Sequence, residues 1–380
     1  MFLNGVIILT FIWYRTILLF ITEFFEKRYP LYGKPFSVII PVYNEEVDLL
    51  KKCLKSVYLA DGDKEIFIVN DGSTSQETKS YLEELNRRLE HKSNKISVIT
   101  LERNSGKREA HKAGFIKAKH DIIVVLDSDT VVDKNSFTEL LRPFNDSLVG
   151  ATTGEIKALN ENETLVTKIQ AARYWTGLNV DRKSQSFFGI VTCCSGALAA
   201  YRKKLVIDYL DEYTNQFFFG EKCDSGDDRY LTNLILRNWR VKYVGDAVAY
   251  TSVPRTFSKW IRQLLRWKRS FIRESLICLK NSWKKKKLLF FETLFNLVLP
   301  IFFVGVRFLF IVTIILYPYF LLLALPAMLL ATLARDSHIL VEKPKKMIYI
   351  FYYIFLYNFV LYWLYFVALF TFKNTKWGTR

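Results

Sequence analysis

Ile122-Ile123-Val124-Val125-Leu126-Asp127-Ser128-Asp129 is the stretch on which the fold turns. An apolar run of strand length ends, and two carboxylates one residue apart follow at its carboxyl end. In an open α/β sheet, ligands bind at that edge. Two hard oxygen donors there suit a divalent cation that keeps waters and shares a diphosphate. Taken alone, the same residues read equally well as a polar turn.

Working outward, Phe36–Pro41, Glu65–Val69 and Ile96–Leu101 read as further short strands. Between them, Glu46–Tyr58, Thr78–Leu89 and Glu109–Ala118 carry apolar residues close to helical spacing. Strands alternating with helices imply an α/β domain with a mostly parallel sheet and helices on both faces. No GxGxxG follows the first strand and no GxxxxGK[ST] is present, so the phosphate loops of dinucleotide and P-loop sites are missing.

Composition is segregated along the chain. Apolar residues reach 51% and charged residues 24% of 380, with a net charge of +17. Residues 1–26 read as a transmembrane helix and 34–250 as a cytosolic domain of roughly 250 residues or fewer, large enough for its own core. Residues 251–287 read as amphipathic interface helices, 288–334 as a transmembrane hairpin, and 335–380 as an interfacial or re-entrant segment with a terminal loop. Lys284–Lys287 before an apolar block reads as a positive-inside flank facing membrane lipids. No zinc spacing or aromatic-basic motif supports nucleic acid. The five cysteines show no paired framework, which fits reduced cytosolic thiols.

Polar residues cluster at the strand ends. Tyr43-Asn44-Glu45 and Asp71-Gly72-Ser73 offer carboxylates that could accept from a ribose or base edge, or could cap turns. Gly106-Lys107-Arg108 offers backbone approach and two cations for a diphosphate, or a solvated basic pair. Phe188–Arg202 is apolar and rich in small residues, and could pass under a substrate or be core. Gly226-Asp227-Asp228-Arg229 opens a helix-like run, where a carboxylate can take a proton from a hydroxyl or complement a helix dipole.

The ordered set is more specific than its members: strand–DGS, GKR, strand–DSD, GDDR, then Arg262-Gln263-Leu264-Leu265-Arg266-Trp267, membrane segments, and Trp377-Gly378-Thr379-Arg380. It resembles the processive family-2 membrane glycosyltransferases, the hyaluronan, chitin and cellulose synthases, over nearly the whole chain. Asn179–Ser186, Cys194-Ser195-Gly196, GDDRYLTN, Trp267–Ser275 and Lys373–Arg380 look like class I hyaluronan synthases. Two departures are Ala197, where those usually have Pro, and the single amino-terminal span, where two are usual.

The resemblance implies a GT-A fold, UDP-GlcNAc and UDP-GlcA as donors, a growing polysaccharide, and Mg²⁺ or Mn²⁺. Asp71 would contact uridine with Tyr43 and Glu45 nearby, Asp127 would face the donor, and Asp129 would hold the metal. Lys107 and Arg108 would steady the diphosphate and Asp228 would be the base. Gln263, Arg266 and Trp267 would floor the acceptor site, with Cys223 at its border. Trp377 and Arg380 would fold back over the donor. That last role puts residue 380 on the cytosolic side of the plasma membrane, so the tyrosines of 349–365 are expected at headgroup level. The alternatives are a chitin-type synthase using UDP-GlcNAc alone, a transferase placing one sugar on a lipid carrier, and a transporter with a degenerate nucleotide domain.

Overall fold

The computed structural model describes residues 29–90, 95–176, 181–323, 326, 329–330 and 344–375. The expected span over 1–26 lies outside them. The chain forms two compact units, one from Glu26–Asn160 and Gln185–Ser252, the other including Glu161–Ser184 and residues from Val253 on.

The first unit is built on an eight-stranded sheet. Its early strands are β1 (Phe36–Val42), β2 (Lys64–Asn70), β3 (Ile96–Thr100), β4 (Ile122–Val125), β5 (Thr130–Val132), β6 (Val149–Ala158) and β7 (Ala199–Arg202). A separate hairpin pairs β8 (Phe217–Phe218) with β9 (Glu221–Lys222), and β10 (Arg240–Thr251) returns to the main sheet. The order is β3-β2-β1-β4-β7-β6-β10-β5. β1 to β4 run parallel, β10 runs parallel to β6, and β5 and β7 run antiparallel to their neighbours. Every residue of β1 is buried, so both faces of the sheet are covered, as its unbroken apolar sequence requires.

The chain runs from β1 to β2 and β3 on one side, then crosses back to β4 on the other side of β1. The order therefore reverses between β1 and β4, and a crevice at the carboxyl ends of strands flanking such a reversal is the natural ligand position. Four-residue β7 comes from the small-residue stretch after Phe188, whose weak alternation hides an antiparallel strand. The helix-like run opened by Gly226-Asp227-Asp228-Arg229 is helical from Asp227 on, directly after Gly226, whose φ of +82 makes the turn into it.

In the second unit, Phe257–Ser282 is one amphipathic helix whose Thr256 side chain accepts from the Lys259 amide. Lys287–Leu316 is a 30-residue helix, long and apolar enough to cross a bilayer. Pro300 interrupts its bonding, and in the disturbed turn the Leu297 carbonyl accepts from the Tyr365 hydroxyl at 2.8 Å. Pro344–Leu361 and Trp363–Thr371 meet at a 45° bend, the shape of a broken span or a re-entrant loop. The tyrosines here make contacts within the protein. Tyr362 and Tyr365 are buried, and Tyr353 accepts from Arg173 at 3.0 Å. They tie helices together, and Tyr352 is the member that stays open.

Gly72, at φ +61, carries the β2 turn past the β3 turn. A Cβ there would lie 2.3 Å from the Arg103 carbonyl carbon and 2.5 Å from the Asn104 nitrogen. Gly33 has a similar φ of +66 and nothing within 4 Å. Gly72→Ala is expected to lower stability by about 1–3 kcal/mol and Gly33→Ala by no more than about 1 kcal/mol, read by denaturant unfolding. Equal effects would mean that the contact with Arg103 does not matter.

Candidate active site

Three loops at the carboxyl ends of β1, β2 and β4 are laced by side chains. Asn44, at φ +48, accepts through Oδ1 from the Thr74 and Ser75 amides at 2.7 and 2.8 Å. Ser128 donates to Glu45 Oε2 at 2.7 Å across the β1/β4 reversal. Tyr43 is half-buried at the end of β1. Asp71 accepts from the Ser105 and Gly106 amides at 2.8 and 3.0 Å. Asp71 thus caps, from another strand, the helix that starts at Lys107, where the dipole favours a carboxylate.

The capped helix delivers Lys107 into the cleft. Its ammonium bonds Asp127 Oδ1 at 2.6 Å and lies 3.5 Å from Asp227 Oδ2. Burial alone would lower the Lys107 pKa, but Asp127 and Asp227 together hold it above the usual lysine range. Arg108 goes elsewhere. It is buried between the rings of Tyr213 and Tyr230 and donates to the Tyr213 carbonyl at 2.7 Å and to Gln216 at 2.5 Å. Of the expected cation pair, only Lys107 faces the carboxylates. His111 bonds the Tyr213 hydroxyl at 2.8 Å through Nδ1. Burial, then Lys107, holds its pKa at about 4, so it is neutral near pH 7.

Asp129 accepts from Thr251 at 3.1 Å and Thr130 at 3.3 Å, both on Oδ1. Burial, then Asp127 and Glu45, pushes its pKa up to about 7. This is a cluster of hard oxygens short of positive charge, which fits Mg²⁺ or Mn²⁺. Among the described residues no group of three or more His, Cys, Asp or Glu could hold a metal ion unaided. One or two carboxylates completed by diphosphate and water suit this chemistry better than a protein cage.

The helix Asp227–Leu236 supplies the other side. Burial would lift Asp227, but the surrounding donors and cations, Lys107 foremost and Arg108 among them, together outweigh it and hold that carboxyl at about 2. Asp228 is raised, by burial and then by Asp227. Its Oδ1 accepts from the Arg229 amide at 2.7 Å, and Oδ2 meets the Cys193 thiol at 3.6 Å. Cys223 is buried, with its amide on the Gln216 carbonyl at 3.0 Å. The cysteine at the Asp228 carboxylate is therefore Cys193, which spacing along the chain did not single out. Gly196 comes from the same loop. A Cβ there would lie 2.8 Å from Lys107 Nζ and 3.3 Å from both Asp127 oxygens. The small-residue stretch does pass under these groups.

In the second unit, Gln263, Arg266 and Trp267 fall at i, i+3 and i+4 of one helix and share a face. Trp267 is 40% exposed and meets Tyr174 edge-on at 6.3 Å. The buried amide oxygen of Gln263 has no hydrogen-bond partner among the described residues. Trp377 and Arg380 lie outside the described residues.

A mostly parallel sheet with acidic strand ends at its reversal point, a lysine between them and an aspartate pair on a neighbouring helix defines a GT-A glycosyltransferase. Residues 37–210 match Glycosyl transferase family 2. A hyaluronan synthase of Streptococcus pyogenes is 34% identical over 385 residues, spanning 99% of this chain and 90% of its own length. An N-acetylglucosaminyltransferase of Bradyrhizobium diazoefficiens is 36% identical over 244 residues, 63% of this chain and 50% of that protein. A mannosyltransferase from Pyrobaculum calidifontis, solved in complex with GDP-Man and Mn²⁺, shares the fold with a TM-score of 0.61 at 17% identity, over 93% of this chain and 94% of that one. The chain belongs to the family-2 glycosyltransferases and is an enzyme of that class.

In Gly196→Ala the added methyl presses most closely on the end of the flexible Lys107 side chain and less closely on the Asp127 carboxylate, so the fold should tolerate it. Displacing Nζ from Asp127 is expected to cut sugar transfer by about 10-fold or more while the unfolding midpoint stays near that of the native protein. Unchanged turnover would show that Lys107 has no fixed position to lose.

Proposed function

We propose that this enzyme is a processive, inverting glycosyltransferase that polymerises UDP-GlcNAc and UDP-GlcA into hyaluronan and extrudes it through its own membrane region. The observation that carries the reading is the near-full-length identity to hyaluronan synthase, 34% over 99% of the chain. The 30-residue apolar helix and the bent helical pair are consistent with a plasma-membrane enzyme whose catalytic unit is cytosolic. A second reading, a chitin-type synthase using UDP-GlcNAc alone, is favoured by the N-acetylglucosaminyltransferase match and by Ala197.

The donor diphosphate is assigned to the Asp127–Asp129 edge, with uridine near Tyr43, Glu45 and Asp71. Asp129 would hold the divalent cation there, and its chemistry when bound would be to offset charge on the departing UDP. Lys107 adds a fixed positive charge on the same side, already oriented before the donor enters. Asp228 takes the proton of the acceptor hydroxyl as its oxygen bonds to the anomeric carbon and the bond to phosphate oxygen breaks, the electron pair leaving with UDP. While it is ionised, a carboxylate whose proton affinity is raised by burial is a stronger base than an ordinary one. Gln263, Arg266 and Trp267 are assigned to the acceptor, the open indole stacking on a sugar face and the unpartnered Gln263 oxygen accepting from a hydroxyl.

Purified enzyme given both donors is expected to make polymer, and with UDP-GlcNAc alone to make little. Equal polymer without UDP-GlcA removes hyaluronan and leaves the chitin-type reading. The proposed base has its own signature. A carboxyl raised by burial is protonated, and useless as a base, at a higher pH than a free aspartate near 3.9. Transfer is therefore expected to fall on acidification with a midpoint clearly above that value. Asp228→Asn should lose at least about 10²-fold in turnover while still binding UDP. Near-native turnover in that variant would exclude Asp228 as the base.

A further inference from the structure

Asp129 presents its two oxygens unequally. Oδ1 accepts from the hydroxyls of Thr251 and Thr130, at 3.1 and 3.3 Å. Those threonines come from strands far apart in sequence, yet they are direct partners: Thr251 of β10 pairs with Thr130 of β5 in an antiparallel ladder. Thr251 is fixed from its other side as well. It pairs with Ala158 of β6, and its carbonyl accepts from the Leu159 amide at 2.9 Å. Thr130 is fully buried, and its amide bonds the Asp127 carbonyl at 3.1 Å. The Thr251 hydroxyl is therefore mounted on backbone that two neighbouring strands hold in place, the condition under which a supporting group can orient a ligand accurately.

From this we infer that Thr251 is a positioning residue for the cation: it ties up Asp129 Oδ1, holds the carboxylate in one rotamer and leaves Oδ2 as a single-oxygen donor. It acts through Asp129 and touches neither the sugar nor the reacting atoms. A carboxylate that used both oxygens on the cation would fill two positions. One that uses a single oxygen leaves more of a small octahedral ion for diphosphate and water, as Mg²⁺ and Mn²⁺ chemistry requires when protein donors are few. Outer hydrogen bonds of this kind typically account for about 10–100-fold in metal affinity. The inference rests on the reading of Asp129 as metal-holding residue.

The test is Mn²⁺ binding to the purified full-length protein in detergent with saturating UDP, followed by electron paramagnetic resonance of free Mn²⁺. Thr251→Val keeps the shape and removes the hydroxyl, and Thr251→Ala is a second deletion should the first fold poorly. Either is expected to bind Mn²⁺ about 10-fold or more weakly, while Thr251→Ser binds within about 3-fold of native. Native-like affinity in the folded valine or alanine variant overturns the role of Thr251. So does a serine variant as weak as valine, because the hydroxyl would then not be the cause. A native protein that binds no Mn²⁺ with UDP, or an Asp129→Asn variant that binds it normally, instead overturns the metal assignment to Asp129. The two failures are thus distinct.

Discussion

The ammonium of Lys107, set between Asp127 and Asp227, is the interaction on which the rest of the site depends. Asp127 and Asp129 from a strand end and Asp227 and Asp228 from the helix Asp227–Leu236 lie close enough to act on one another and on Lys107. Taking such ions from water costs several kcal/mol each, and removing one partner of a buried pair leaves an uncompensated charge. Lys107 is in contact with both groups, at 2.6 and 3.5 Å, and so joins the donor-facing strand end to the helix that carries Asp228. Its own position is imposed from behind. Asp71 fixes the Ser105 and Gly106 amides, which fixes the first turn of the helix, and Gly196 leaves the room that the ammonium occupies.

Much of this frame was legible because it is local. The strand ends carrying Glu45, Asp71, Asp127 and Asp129 follow apolar runs that bury themselves in the middle of a sheet. Parallel pairing then brings their carboxyl ends to one edge without further instruction. The helix–strand alternation predicted the sheet class for the same reason. What was not legible depends on direction or on long-range pairing. Lys107 and Arg108 look like one basic unit, but successive residues of a helix point about 100° apart. When the first enters the cleft, the second turns into the core against Tyr213 and Tyr230. For the tyrosines from 349 to 365 the sequence likewise does not show which partner each takes. Their composition suits a headgroup layer, but a ring with a hydroxyl equally suits an apolar interior that offers it a carbonyl or a cation. Leu297, Arg173 and Lys268 supply those partners.

Thr251 and Cys193 show the same limit inside the site. Thr251 stands 122 positions from Asp129 and Cys193 35 positions from Asp228. No periodicity links such pairs. The sheet order does, by placing β10 beside β5 and the loop before β7 beside the helix that starts at Asp227. Cys223 is nearer to Asp228 along the chain, but chain distance does not show which thiol meets the carboxylate. A small-residue stretch was the one usable signal for the 193–196 loop, since only a residue without a side chain tolerates the approach made by Gly196.

Adjacent Asp227 and Asp228 then take opposite roles for a reason that lies in their surroundings. Lys107 reaches the first and keeps it ionised at about 2, so it serves as a permanent counter-charge. That fixed negative charge, with burial, raises the second. Two like groups whose environments drive their affinities for a proton apart can divide structural and proton-accepting work between them. The division needs no difference in residue type, only a lysine placed on one side of the pair. The cap that Asp71 provides for the Lys107 helix, two strands away, is therefore part of what makes Asp228 fit to accept a proton.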